Sequence, residues 1–206
     1  MGIDAAAERS DLVREALELA RQAHLGQLRR GSDGRPFAEH PIAVAEMMVK
    51  HHLGDEVVAA ALLHDVVEKS DTSLEAVRER FGEIVAELVE AMTEDESIES
   101  YEERKKEHRW RVASAGPAAL AIFAADKLTN VMLLREAYSL IAEGVSDELP
   151  VTLDVKIYVW EGDLEMLFDE APDLDITDRL ADEMVALWGD RFRAVRYPDE
   201  PPSDLP

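Results

Sequence analysis

The chain predicts an all-α domain of about nine helices, and three observations carry that expectation. Apolar residues recur at helical spacing over most of its 206 residues. Helix-start signals recur along it: Ser10, Pro41, Thr72-Ser73-Leu74-Glu75, Ser100–Glu103 and Pro117. No segment alternates apolar and polar residues as strands do, and there is no internal repeat or glycine-rich phosphate loop. The length suits a single domain, expected over residues 1–195. Residues 196–206 are expected to form a mobile tail, because four prolines in the last ten residues leave nothing with which to build a core.

Asp and Glu number 45 against 22 Lys and Arg, a formal net charge of −23. Such a surface argues against a nucleic-acid groove and against binding to anionic membranes. No run of about eighteen apolar residues is evident, so no membrane span is expected. The first ten residues lack a secretory pattern. There are no cysteines, which removes disulfides and thiolate metal sites and suits a cytoplasmic setting. An anionic small-molecule substrate would need local positive charge, and a metal ion is one way to supply it. No oligomeric state follows from the sequence.

In chain order, Leu12, Leu17, Leu19, Ala20 and Ala23 mark an amphipathic helix over Asp11–Gln27, with Ser10 as its cap. Residues 29–36 read as a loop carrying Arg29, Arg30 and Arg35. By composition, a solvated loop and a binding loop are equally good readings of it. Pro41 opens a helix to about His52, with Ile42, Val44, Ala45, Met48 and Val49 inward and His40 just outside. His51 and His52 are explained by the dipole at its C-terminus. Gly54-Asp55 breaks it, and Asp55 is expected to cap the next helix.

That next helix is the centre of the sequence. Val57–Leu63 is apolar on all sides, the mark of a core helix, yet it runs directly into His64-Asp65. Buried ionisable groups must be paired or hold a metal. Taken by itself, a chance His-Asp at a helix end is the commoner case. Two further helices follow, through Phe81 and over Glu83–Thr93, separated by Gly82, and then an acidic loop over Glu94–Ser100. The helix from Ser100 carries Arg104, Lys105, Lys106, Arg109 and Arg111, which with His108 read as a solvated face in preference to a substrate site. Gly116-Pro117 opens a long helix, Ala118 to about Glu143, whose stretch Ala118–Ala125 is apolar all round. Asp126 is therefore a carboxylate in a buried stretch and needs a partner, while Asn130, one turn on, shares its face. Lys156–Asp169 and Asp175–Trp188 complete the set, with Trp160 and Trp188 read as core.

His40, His64, Asp65 and Asp126 thus offer two imidazoles and two carboxylates. Mixed nitrogen and oxygen donors suit a six-coordinate divalent ion with positions left open. Manganese (Mn2+) is the expected ion, with Fe2+, Co2+ and Mg2+ as alternatives; a closed zinc site, which favours cysteine, fits less well.

On these residues the sequence resembles the HD-domain phosphohydrolases, whose pattern is H…HD…D. More narrowly, it resembles the hydrolase domain of the RelA/SpoT-type (p)ppGpp enzymes and their small stand-alone relatives. The matching stretches GQLRRGSDGRPFAEHPIAVA, AAALLHDVVE, FGEIVAELVEAMT and AADKLTNV run in family order from about residue 20 to 135. The resemblance implies an HD-domain helical bundle with one metal on His40, His64, Asp65 and Asp126. It also implies a catalytic Glu68, phosphate or base contacts from Arg29 or Arg30, and a substrate-side role for Asn130. Glu68 lies four residues from His64 and three from Asp65, so on one continuous helix it would share their face and take a proton from water. The departures fall on substrate-facing positions. Glu68-Lys69 replaces the family's Glu-Asp; Ala124-Ala125-Asp126-Lys127-Leu128-Thr129-Asn130 replaces L-A-D-R-L-H-N; Met132 and Leu133 replace Arg and Thr.

The implied function is a metal-dependent phosphohydrolase of a phosphorylated nucleotide, in its narrower form a (p)ppGpp-type pyrophosphohydrolase. Arg29, Arg30 and Lys127 would balance charge on the non-reacting phosphates. Lys69 would be a further phosphate contact, or else a surface lysine. A nucleoside 5′-monophosphatase and a non-catalytic HD nucleotide sensor are the alternatives. The intact Glu68 favours an enzyme, and the missing acid after it favours a sensor.

Overall fold

The greasiest helices of the chain sit innermost, and the amphipathic ones cover them. In a computed structural model, residues 2–29, 34–142 and 153–189 are described. They form α1 (Ile3–Ala7), α2 (Asp11–Ala23), α3 (Glu39–Lys50), α4 (Asp55–Leu63), α5 (Val66–Lys69), α6 (Leu74–Phe81), α7 (Glu83–Met92), α8 (Tyr101–Ala115), α9 (Pro117–Ala142), α10 (Leu153–Glu170) and α11 (Asp175–Trp188). Every one but α1 and α5 has at least eight residues, so the all-α expectation of about nine helices holds. Among the described residues the extended pairing is one antiparallel bridge, Leu28 to Pro36, which closes the arginine loop into a small hairpin. Arg30 and the expected tail, residues 196–206, lie outside the described residues.

Val58–Leu63 of α4 is wholly buried, as a helix with no polar face should be. It packs on α2, α3 and α7, and α9 packs on α3, α8 and α11. Met48, Leu62, Leu63, Ile122, Phe123 and Leu128 fill the space between them. The segment Pro117–Ala137 corrects one expectation. It is 21 residues long with a mean hydropathy of 1.4, sufficient by length and composition to cross a membrane, but 72% of its apolar window is buried inside the bundle. Neighbouring helices cover that apolar surface. Trp160 is buried and its ring meets that of Trp188 at 5.4 Å, in line with a packing role.

The serine caps form: the hydroxyls of Ser10, Ser73 and Ser100 accept from the amides of Val13, Ala76 and Glu103. Three boundaries differ from the sequence expectation. Helix α2 stops at Ala23, and the chain turns through Gly26 at φ +77°. Helix α3 begins at Glu39, so His40 lies inside its first turn, where Pro41 is also tolerated. The cap of α4 is Gly54, and Asp55 is the first helical residue, next to the positive end of the dipole. The short α1 was not anticipated.

Apart from the exposed Lys106, the basic face of α8 is not a solvated one. Arg104 and Lys105 both reach Glu94, Arg109 reaches Asp163 at 3.1 Å, and Arg111 pairs with Glu107 and with the carbonyls of Glu90 and Thr93. Burial opposes the charge on Glu94, but the flanking Lys105 and Arg104 outweigh it and hold the carboxyl down to about 2. His108 is also interior, 4% exposed and edge-on to Phe123 at 5.5 Å. Burial drives its imidazole down to about 3, and nearby Lys127 acts in the same direction. A histidine held neutral in the fold contributes stability above its ordinary value of 6.5 that is lost as pH falls toward about 3, because the unfolded chain then binds the extra proton. His108→Phe keeps a ring against Phe123 and removes that proton site. Urea denaturation at stepped pH should therefore show a shallower acid loss for the variant than for the wild type. Parallel profiles would mean that His108 does not titrate on unfolding.

Candidate metal centre

Helix α4 ends at Leu63 with His64 as its C-cap, and Asp65 is the N-cap of α5, so the His-Asp pair occupies the break between two helices. This break separates Glu68 from His64, whereas Asp65 caps the short helix that carries Glu68 and accepts from the Lys69 amide at 3.0 Å. The His64 Nδ1 lies 2.8 Å from the carbonyl of Ala61 and donates its proton there. Its Nε2 is buried and without a hydrogen-bond partner.

His40 is set by the same logic. Its Nδ1 lies 3.1 Å from Thr129 Oγ1, and that hydroxyl sits 2.8 Å from the carbonyl of Asp126. The single hydroxyl proton goes to the carbonyl, so Thr129 accepts from His40 Nδ1–H and leaves the His40 Nε2 lone pair facing inward. That nitrogen is 3.0 Å from Asp126 Oδ1 and 3.6 Å from Asp65 Oδ2; the His64 Nε2 is 3.4 Å from Asp65 Oδ2 and 3.9 Å from Asp126 Oδ1. Burial lowers the His40 pKa, favouring the neutral ring. Burial opposes the charge on Asp126, but Lys127 Nζ at 3.0 Å from Oδ2 outweighs it and holds the carboxyl well below the usual carboxylate range. Two imidazole nitrogens and two carboxylate oxygens thus converge. That donor set fits a divalent cation held by His40, His64, Asp65 and Asp126, with Thr129 and the Ala61 carbonyl orienting the two rings. The ligand atoms of His40, His64 and Asp65 all lie within 4.8 Å of one another.

The other expected site residues are placed as follows. Asn130 Nδ2 donates to Asp126 Oδ1 at 2.8 Å, and its own Oδ1 accepts from Arg29 Nη2 at 2.7 Å, which ties the hairpin to α9. Lys127 is buried, with its ammonium on Asp126 and 4.4 Å from the centre of the Phe123 ring. Glu68 accepts from the Glu94 amide at 2.6 Å through Oε1, and from Lys69 Nζ at 3.1 Å through Oε2. Lys69 is half-exposed. Beyond Arg29 and Thr129 a cleft of about 530 Å³ opens between α3 and α9. Sequence reasoning missed Thr129. Its signal was a threonine three residues past Asp126 in an apolar helix, where the hydroxyl bonds back to the carbonyl one turn earlier.

An all-helical bundle with this buried His, His-Asp and Asp cluster defines a class, and the comparisons agree with it. The family model described as "HD domain" matches residues 16–147, and the chain belongs to the HD-domain family. Within that family it is related to the MESH1 and SpoT-type ppGpp hydrolases and their small stand-alone relatives. Human guanosine-3′,5′-bis(diphosphate) 3′-pyrophosphohydrolase MESH1 is 38% identical over 136 residues, 65% of this chain and 73% of that protein. The mouse MESH1 is 38% identical over 120 residues, 57% of this chain and 66% of that one, so the chain matches about two thirds of its length. A solved structure of a metazoan SpoT ortholog that hydrolyzes ppGpp superposes with a TM-score of 0.73 at 27% identity, covering 87% of this chain and 97% of that one.

Thr129→Val removes the acceptor and keeps the shape. Titration calorimetry with manganese should show affinity falling by about 10–100-fold, the usual effect of losing a group that orients a metal ligand. Thr129→Ser should restore most of it. Wild-type affinity in Thr129→Val would show that packing alone orients His40. Asp126→Ala should abolish binding of the ion altogether and lower stability as well.

Proposed function

We propose that the chain is a metal-dependent phosphohydrolase acting on a phosphorylated nucleotide, and that a 3′-pyrophosphate of the (p)ppGpp type is its leading substrate. The observation that carries this reading is the convergence of two imidazole nitrogens and two carboxylate oxygens beside an arginine-bearing cleft. The names of the MESH1 relatives support the narrower substrate. Bound at His40, His64, Asp65 and Asp126, a divalent ion, manganese in this reading, supplies Lewis acidity to a phosphoryl oxygen and acidity to water.

The chain's own groups do the rest. Glu68 accepts the proton of the attacking water; the water oxygen bonds to phosphorus, the bond from phosphorus to the 3′ oxygen breaks, and that oxygen leaves with a proton. The Glu94 amide and Lys69 fix the Glu68 carboxylate. Arg29, at the junction of the centre and the cleft, neutralises the phosphates that do not react, with Arg30 beside it in sequence. Lys127 holds the outer oxygen of Asp126, and the inner one, steadied by Asn130, would face the ion. One observation favours the sensor reading: both Glu68 oxygens are already engaged by the chain.

A panel of nucleoside mono-, di- and polyphosphates with manganese, with products separated by chromatography, tests the reading. Release of pyrophosphate from the 3′ position supports it, and binding without release from any member leaves the sensor. In Glu68→Gln, turnover should fall by about 10²–10⁴-fold with metal content unchanged. Equal rates in variant and wild type would remove Glu68 from the chemistry.

A further inference from the structure

Both oxygens of Glu68 are held by the chain, yet hydrolysis needs one of them for water. The two holds differ in kind. Oε1 accepts from the backbone amide of Glu94, a residue whose own side chain is gathered by Arg104 and Lys105. Oε2 accepts from Lys69 Nζ, a point charge on a flexible stem. The Lys69 side chain is 45% exposed and that of Glu68 14%, so the ammonium is the partner able to move. Glu68-Lys69 replaces the Glu-Asp of the resembled family, and an acid at that position could not hold Glu68. The backbone of Lys69 is anchored beside the centre. Its amide donates to the Asp65 carbonyl at 3.0 Å, and its carbonyl accepts from Gln27 Nε2 at 2.7 Å. Gln27 lies two residues before Arg29, so one cross-link joins the segments that carry both cations. Burial opposes the charge of the Lys69 ammonium, but Glu68, Asp65 and Glu94 outweigh it and raise its pKa, so Asp65 lies within its electrostatic reach.

We propose that Lys69 is a latch on Glu68 that the phosphate of a substrate opens, an inference that rests on the phosphohydrolase reading and deepens it. A phosphate that reaches the centre and Arg29 draws the ammonium off Oε2, and the oxygen so uncovered is the one that takes the proton of the water. Magnitudes favour the exchange. A phosphate monoester carries a charge of about −1.5 to −2 at pH 7 against a single charge on a carboxylate, and Coulomb attraction scales with charge. Breaking an ion pair as exposed as this one costs a factor of about five at most. A hydrogen bond to a charged group contributes about 10–100-fold. Oε1 keeps the Glu94 amide during the exchange, so the carboxylate holds its position while its other oxygen changes partner. The base is uncovered when a phosphate is bound and covered otherwise, which ties the activation of water to occupancy of the site.

The test is calorimetric binding of guanosine 3′,5′-bisphosphate, which has no pyrophosphate to release, to the full chain with manganese present. Four proteins are compared: the wild type, Lys69→Met, Glu68→Gln and the double variant. Lys69→Met should weaken the bisphosphate by about tenfold or more. Glu68→Gln should tighten it by about 2–5-fold beyond whatever it does in the Lys69→Met background, because only with Lys69 present is there a pair to break. Repulsion between fixed charges is additive and gives Glu68→Gln the same effect in both backgrounds. Equal effects would therefore overturn the latch. So would wild-type affinity in Lys69→Met, which would mean that the ammonium stays on Glu68, or no binding of the bisphosphate to the wild type. Manganese alone should bind all four proteins alike; weaker manganese binding in Lys69→Met would put its effect at the ion and also overturn the inference. Coupling between the two residues with no turnover of any nucleotide would sink the phosphohydrolase reading and leave the exchange of partners standing. Hydrolysis of a 3′-pyrophosphate without coupling would do the reverse.

Discussion

Two imidazole nitrogens and two carboxylate oxygens share one buried pocket, at separations of 3.0 to 3.9 Å, and the surrounding bundle is arranged to tolerate that. Such a concentration of lone pairs is costly away from water unless positive charge lies nearby. Part of it is built into the chain. Lys127 stands against Asp126, Asp163 adds its field to Lys127, and Arg109 binds Asp163, so charges of alternating sign run from α9 through α10 to α8. A divalent ion completes the compensation on the other side. The two rings are aimed by groups that accept from Nδ1, and each aiming group belongs to a helix already fixed by apolar packing.

The same constraint explains how α8 and the loop before it are used. Glu94 gathers Arg104 and Lys105 through its side chain and holds Glu68 through its amide. A basic stretch that looks like a surface feature is thereby turned inward, onto the acid whose amide holds Glu68. In a chain with a net charge of −23, positive side chains have many partners, and paired cations are the ordinary outcome. The arginines that line the cleft are the functional exception in this reading, and they too are tethered to acids or amides.

Much of this was legible in sequence, for physical reasons. An apolar helix that runs into His64-Asp65 and a carboxylate at Asp126 within an apolar helix both place charge where water is excluded, and that pattern survives folding intact. The partnership of Asn130 with Asp126 followed from helical spacing. What was not legible depends on contacts distant in sequence or on one or two residues of helix boundary. Thr129 meets His40 across 89 positions, which no local pattern encodes. The placing of His40 inside α3 and the break after His64 turn on single residues, where periodicity has least to say. The basic run of α8 was misread because its acidic partners, Glu94 and Asp163, come from other elements. The departures at Met132 and Leu133 were visible, but their meeting with Ala43 and Met47 across a cleft was not.

Helix α9 carries Asp126 for the ion, Thr129 for the aim of His40, Asn130 for the tether to Arg29, and Met132 and Leu133 for the cleft wall, all within eight consecutive residues. These roles share one rigid rod, so their relative bearings are set by helical geometry. Inserting or deleting a single residue upstream of Asp126 would rotate the whole set by about 100° against the other helices and turn every one of them away from its partner at once. Substitution along this stretch alters one role at a time, whereas a change in its length alters all of them. A change of length is compatible with this arrangement only in the connections outside the rod.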